Sequence, residues 1–407
     1  MPNRPGLLFS LACLLVLAAS CLLGGRILLA SYDELRTRQD SLQRIDRLDA
    51  TLTAMNRAST ERGPTNALLG TPSGEQDTAV SRLAAFRALT DTSLSVVRAL
   101  DHANGHQIED IAARLGRARA MTDALAALPL SDRSVARLRE LVGNLFRITT
   151  EMQDLADKQI APLLRQDSPV ATLAVLSITL SNLREQAGRM NSILMPFVVT
   201  GEAPTPELRS EIERMRGRLV QLRKGIATRI GGVAEDPAFL AALGDVDRMF
   251  FEGGLPLLEA VLADQSRTGR FELTMAVMTD RYMPTMRPLE ALRDLALRRM
   301  AETSRARRDA AWRWVLLAIG ATGAVLVLQG AILAGVRTRV FRPLLRAHDE
   351  ILAMASGAAT QGRGLGARPA GLASLFRALD VLAARLRELR RVEIEREALS
   401  AQLRLEA

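Results

Sequence analysis

The sequence predicts an all-α fold in which two transmembrane helices flank an antiparallel helical-bundle domain of one or two four-helix bundles, with a parallel coiled-coil tail behind it. Three observations predict it. Ala, Leu and Arg dominate a chain of 407 residues that is 48% hydrophobic yet only 3% aromatic, and these residue types lose little freedom in a helix. Two charge-free apolar runs, 7–25 and 314–336, are each long enough to cross a bilayer. Elsewhere apolar residues recur at spacings of three and four, and no segment alternates as a half-buried strand does.

Taken in order, residues 1–6 read as a cytoplasmic N-terminus and 7–30 as the first transmembrane helix, its apolar run set between Arg4 and Arg26. A cleavable signal peptide competes, although its apolar region usually spans only about 7–15 residues. A lipoprotein site at Cys21 competes less well, because "AAS" precedes the cysteine where a larger aliphatic residue is usual. The second span, 313–336, has Trp312 and Trp314 as interfacial anchors at one edge and Arg337, Arg339, Arg342 and Arg346 beyond the other. Positive charge collects on the cytoplasmic side. Both ends therefore lie inside, and residues 31–312 are expected to form one external domain.

Composition narrows the function classes. The net charge of +9 comes almost wholly from Arg, since Lys158 and Lys224 are the only lysines. A basic balance can mark nucleic-acid or acidic-lipid binding. Here the aromatics are too few for stacking platforms and no basic block stands alone, so solvated helix faces are the expectation and nucleic acid is not an expected partner. Cys13 and Cys21 both lie in the first apolar run and cannot staple a soluble domain. His102 and His106 are four apart, but the intervening "ANG" reads as a turn. No phosphate loop, nucleophile motif or kinase signature occurs. No metal, cofactor or enzymatic activity is expected.

Turn residues divide 31–312 into roughly eight helices. The breaks are Gly70-Thr71-Pro72-Ser73-Gly74, Asn104-Gly105, Pro129 with Ser131 as a cap, Gln166 to Pro169, Thr200 to Pro204, and Gly231-Gly232. Between them Leu138, Leu141, Leu145, Ile148 and Met152 illustrate the apolar stripe of a helix packed on one face. A weak internal repeat matches "ERGPTNALLG" (61–70) to "QAGRMNSILM" (186–195), pairing Gly63 with Gly188 and Asn66 with Asn191 at one offset of 125. It suggests two copies, 33–157 and 158–310.

The residue types in the repeat matter. A glycine in a helix costs about 1 kcal/mol relative to alanine and suits a position where another helix or a ligand comes close. An asparagine three residues on shares its face and carries both donor and acceptor. Arg62, Arg184 and Arg189 supply bidentate forks for a carboxylate or an oxyanion. The competing reading makes Gly63 and Gly188 packing glycines, Asn66 and Asn191 bridges between helices, and the arginines solvated.

The "ERGPTNALL" stretch, in a helical domain bracketed by two spans, resembles the nitrate- and nitrite-sensing type of bacterial sensor domain. The two-module organisation is also similar to helical bimodular sensors of small carboxylates. The resemblance covers about ten residues and implies Arg62 as the leading ligand candidate, with a small anion as ligand; the reading of the repeat adds Gly63, Asn66, Arg184, Gly188, Arg189 and Asn191.

In the tail, Leu344, Ala347, Ile351 and Met354 step by three and four between Pro343 and Gly357, forming a coiled-coil seam with a glycine stop. A glycine-rich connector follows, and then a second seam of Leu372, Leu375, Leu379, Leu382, Leu386 and Leu389. Neither seam can bury itself in one chain, so a homodimer is expected. This layout over 337–390 resembles a HAMP domain, whose first helix also places proline fourteen residues before glycine. The usual acidic start of the second helix is missing here. Residues 391–407 resemble the helix that joins such a module to an output domain.

Together these readings lead to an expected function: a dimeric transmembrane signal-transduction sensor that binds a small anion in the periplasm. A HAMP-like bundle would relay the signal to a cytoplasmic partner, or to an output domain not present here. The alternative is a ligand-free dimeric scaffold or coiled-coil interaction protein.

Overall fold

The computed structural model describes residues 4–165, 168–233, 236–355, 378, 381–382, 384–385, 388–389 and 391–396. Among the described residues every regular element is helical. In chain order the α-helices are α1 (Arg4–Leu69), α2 (Asp77–Leu100), α3 (Gly105–Ala126), α4 (Val135–Ile160), α5 (Ser168–Thr200), α6 (Pro206–Val233), α7 (Pro237–Val246), α8 (Leu255–Thr268), α9 (Met275–Tyr282), α10 (Arg287–Val336) and α11 (Arg342–Ala355). The chain divides into two compact units, Glu34–Ala311 and a second made of Met1–Asp33 with Trp312–Ala407.

Most helix ends in the Glu34–Ala311 unit fall on turn residues. α1 stops at Leu69 before the Gly/Pro-rich stretch, and α3 begins at Gly105 after a short 3-10 turn, His102–Asn104. Three details differ from the sequence reading. Ser134, rather than Ser131, caps α4 by accepting the Arg137 amide at 3.4 Å, whereas the Ser131 hydroxyl donates to Asp132 at 3.0 Å. Gly231 and Gly232 do not end α6, which continues to Val233; two glycines weaken a helix without terminating it. α8 instead ends at Gly269, whose φ of +76° is a left-handed cap.

The apolar stripe read from α4 is fully buried, with Leu138, Leu141, Leu145, Ile148 and Met152 all in the core. α1 and α5 behave differently. Every residue from Ala58 to Leu69 is buried, and α5 is covered on nearly all sides from Val170 to Phe197. A helix enclosed all round occupies the middle of its unit, so the remaining helices surround this pair. α1 and α5 also run parallel to each other, since Ser59 meets Arg184 and Asn66 meets Ser192. Neighbours in an antiparallel bundle would not do this. The reason is connectivity: α2, α3 and α4 reverse the chain between them, so α5 starts again in the direction of α1.

One buried side chain ties the loops at one end. Arg133 is 1% exposed. It donates to the carbonyls of Leu69 at 2.6 Å, Thr71 at 3.1 Å, Ala126 at 2.8 Å and Leu128 at 2.8 and 3.0 Å. These are the carbonyls that the ends of α1 and α3 leave without helical partners, and one guanidinium satisfies them together.

In the other unit, the apolar parts of α1 and α10 are each long and apolar enough to cross a membrane. Their large side chains face outward, Leu14, Leu22, Val327 and Leu328 among them. The two segments pack antiparallel. Gln329 Nε2 donates to Ser20 Oγ at 2.6 Å, and a Cβ on Gly24 would collide with the Thr322 methyl. In α11, Pro343 sits at the start, Ala347 is buried and Leu344 is 43% exposed. Ile351 and Met354 lie in α11, though their side chains fall outside the described residues, as do Gly357, Leu372, Leu375, Leu379 and Leu386 altogether. Leu382 and Leu389 are helical and exposed.

Replacing Arg133 with Met keeps the apolar stem and removes all five bonds. The full chain should lose about 2–4 kcal/mol of stability in chemical denaturation; a change below about 0.5 kcal/mol would show that water satisfies those carbonyls.

Candidate functional site

Where α1 and α5 face each other, their polar residues gather in an otherwise apolar core. Arg62 and Arg184 are each 2% exposed, and Glu185 is 3% exposed. Arg62 grips Glu185 with both nitrogens, Nη1 to Oε1 at 2.8 Å and Nη2 to Oε2 at 2.9 Å, and Nη2 also donates to Ser59 Oγ at 2.8 Å. Arg184 donates to the same Ser59 hydroxyl, to Thr60 Oγ1 at 2.9 Å and to Glu290 Oε1 at 3.0 Å. Arg189 completes the group from the next turn of α5, donating from Nε to Glu185 Oε1 at 2.7 Å and from Nη2 to Thr150 Oγ1 at 2.8 Å. Thr149 on α4 donates to Glu185 Oε1 at 2.6 Å.

The Phe146 ring lies beneath two of these cations, 5.2 Å from the Arg62 guanidinium carbon and 4.9 Å from that of Arg189. That is within the range of a cation–π attraction. Glu61 forms a second layer, held by Arg119 through two bonds of 2.8 Å.

Electrostatics give the cluster its character. Burial alone would push the Glu185 carboxyl up. The charge and hydrogen bonds of Arg62, the charge of Arg189 and the Ser59 hydroxyl outweigh it and hold Glu185 well below the usual carboxylate range. Burial lowers Arg62 from its ordinary value, while Glu185 opposes the shift. The innermost shell therefore holds three cations, Arg62, Arg184 and Arg189, against two carboxylates, Glu185 and Glu290.

The seven residues singled out in the sequence divide between several places. Arg62, Arg184, Gly188 and Arg189 come together. A Cβ on Gly188 would lie 2.9 Å from Arg184 Nη1 and 3.0 Å from Arg62 Nη2, so the absence of a side chain leaves room for both guanidinium groups. Gly63 serves another purpose: its Cβ would lie 2.8 Å from Met283 Sδ, and the position seats α1 against that side chain. Asn66 donates to Ser192 Oγ at 3.1 Å, two turns of helix beyond Ser59. Asn191 is buried, and its Oδ1, like that of Asn66, has no hydrogen-bond partner among the described residues. The repeat positions thus share a helix register without sharing a task.

Ser59, Thr60, Thr149, Glu185 and Glu290 were not anticipated. Glu185 carried a signal. Arg184, Glu185 and Arg189 are the only charges between Ser168 and Gly201, and charges inside so apolar a helix must be buried and paired. Thr149 and Glu290 carry none, because only the tertiary fold brings them close.

No family model and no curated protein matches the sequence. A solved structure, "Structure of the NasR transcription antiterminator", is similar with a TM-score of 0.51 and 16% identity, over 91% of this chain and 98% of that one. The likeness shows a shared fold. It also overturns the expectation of a transmembrane signal-transduction sensor, which inferred a receptor from a helical bundle bracketed by apolar helices. A similar fold belongs to a transcription antiterminator, and a fold of this kind does not specify the function built on it.

Glu185 also makes stability depend on pH. A carboxyl depressed below its ordinary value of 4.5 contributes stability that is complete above that pH and is lost as pH falls below it. Denaturation of the full chain should lose stability from pH 4.5 down to 3 with an extra slope of about 1.4 kcal/mol per pH unit. Glu185→Gln should remove that extra slope while lowering stability at neutral pH. Equal slopes in the two proteins would show that Glu185 is not held ionised by its arginines.

Proposed function

We propose that the Glu34–Ala311 unit binds a small oxyanion or carboxylate, of the size of nitrate, nitrite or a short carboxylic acid, at Arg62 and Arg184. One observation carries the reading. Two guanidinium groups from two different helices converge on Ser59 beneath Gly188, in a core where each is 2% exposed. Each guanidinium has a carboxylate partner, yet like charges brought together away from water repel strongly. A monoanion would balance the three arginines of the inner shell against their two carboxylates. Planar forks on two sides suit a planar anion, and Glu185 sets the access by competing for Arg62. The resemblance of the "ERGPTNALL" stretch to nitrate- and nitrite-sensing domains points to the same ligand chemistry.

The two apolar helices support a membrane-anchored arrangement, with Arg337, Arg339, Arg342 and Arg346 on the cytoplasmic side of a bacterial inner membrane and the anion-binding unit in the periplasm. Pairing of two chains through the tail seams rests on sequence spacing. Transcription antitermination stays with the structural neighbour, because likeness at 16% identity carries the fold alone.

The test is calorimetric titration and thermal unfolding of the detergent-solubilised full chain with sodium nitrate, nitrite and acetate against equal sodium chloride. Saturable stabilisation by at least one anion is expected, reaching about 2–3 kcal/mol at a hundredfold excess over Kd. Arg184→Gln should abolish it, and Arg339→Gln, remote in sequence and of equal charge change, should leave it intact. Wild-type unfolding that responds to every anion as it does to chloride would refute the assignment.

A further inference from the structure

The two apolar segments of the Met1–Asp33 and Trp312–Ala407 unit are close in the middle and open at one end. Gln329 bonds to Ser20 and Thr322 fills the space above Gly24. Farther along, between residues 13–17 of α1 and 333–345, a cleft of about 690 Å³ separates them. A volume of this order is typical of small-molecule sites. The cleft has a divided lining. Leu14, Leu17 and Leu333 form an apolar wall, and Arg337, Phe341 and Arg342 form the rim, with no carboxylate in the lining.

The backbone is distinctive at this rim. Arg337–Phe341 is π-helical between α10 and α11, an arrangement that inserts an extra residue per turn and often marks functional positions. Arg337, Thr338, Phe341 and Arg342 all line the cleft, whereas Arg339, in the same stretch, does not. The Thr338 hydroxyl is occupied as a donor to Ala334 O at 2.7 Å and so offers the cleft only lone pairs.

We propose that this cleft holds one anionic phospholipid, its acyl chain along Leu14, Leu17 and Leu333 and its phosphate in the forks of Arg337 and Arg342. The inference rests on the membrane-anchored reading above. Charge complementarity selects the occupant. An apolar slot that opens onto two arginines matches a molecule with a hydrocarbon chain and a phosphodiester, and arginine forks bind phosphate oxygens in pairs. A zwitterionic lipid brings its own ammonium to the same place and gains less. Free phosphate leaves the apolar wall unused. A second copy of the chain would bring its own arginines to the rim.

Native mass spectrometry of the full chain, released from nanodiscs of equal phosphatidylglycerol and phosphatidylcholine, tests the site. Alkaline carbonate washing of the source membranes is the accompanying control. Wild type should resist the wash and retain one phosphatidylglycerol with a preference of about tenfold or more. Arg337→Gln/Arg342→Gln should lose the preference, and Arg339→Gln/Arg346→Gln, with the same change in charge, should keep it. Inorganic phosphate at millimolar concentration should not displace the lipid. Equal loss in both double variants would overturn the cleft in favour of a diffuse basic collar. A dimer carrying no phosphatidylglycerol would overturn it in favour of a second copy. Release by carbonate would overturn the membrane reading together with the cleft. Retention in the membrane without lipid preference would overturn the cleft alone.

Discussion

The Glu34–Ala311 unit depends on how it buries charge. Its two central helical segments, residues 58–69 of α1 and 170–197 of α5, are enclosed on nearly all sides, yet each carries arginine and glutamate where the core would ordinarily be apolar. Removing such groups from water costs several kcal/mol per ion unless geometry and hydrogen bonding restore it. The Arg62–Glu185 fork does so with two bonds of 2.8 and 2.9 Å, and Ser59, Thr60 and Thr149 take up further donors and acceptors of the cluster, leaving Arg62 Nε without a partner among the described residues. Apolar packing tolerates small shifts along a helix axis, whereas a bidentate ion pair does not. The pair therefore fixes the register of α1 against α5, and the surrounding helices pack around a central pair already aligned.

That constraint also explains why the fold was more legible in the sequence than the site was. Helices surrounding the core announce themselves through period, as Leu138, Leu141, Leu145, Ile148 and Met152 do on α4. Most turns announce themselves through glycine and proline. The boundaries that were missed follow from context: Ser134 caps α4 because the chain geometry after Pro129 presents it and not Ser131. The site was half legible. Arg62 is marked by the Glu-Arg-Gly stretch it sits in, and Arg184 by its place just before the matching stretch at 186–195. Thr149 and Glu290 reach the cluster from α4 and α10, and no local pattern records contacts across 36 and 106 positions of chain. Gly63 shows the limit of repeat logic, because it matches Gly188 in sequence but meets Met283 instead of the arginines.

The other unit follows a simpler physics. Its helices expose leucine and valine along their length, which suits hydrocarbon and not water. A hydrogen bond from Gln329 Nε2 to Ser20 Oγ joins the two segments, while Gln329 Oε1 has no partner among the described residues. Among the described residues, one unit thus concentrates charge in its interior and the other presents an apolar pair of helices. The inference from bundle and spans to a signalling receptor failed because neither feature is tied to signalling. The ligand chemistry proposed for the arginine cluster does not depend on the chain's output.

The central claim is that Arg62 and Glu185 act as one unit across the two central helices. A double-mutant cycle on the full chain, with Arg62→Met, Glu185→Met and both together, tests it by chemical denaturation. Each single change strands a buried charge and should cost about 3–5 kcal/mol. The double variant should be more stable than the sum of the two predicts by about 2 kcal/mol or more. Additive losses would contradict the account, because they would mean that neither charge depends on the other.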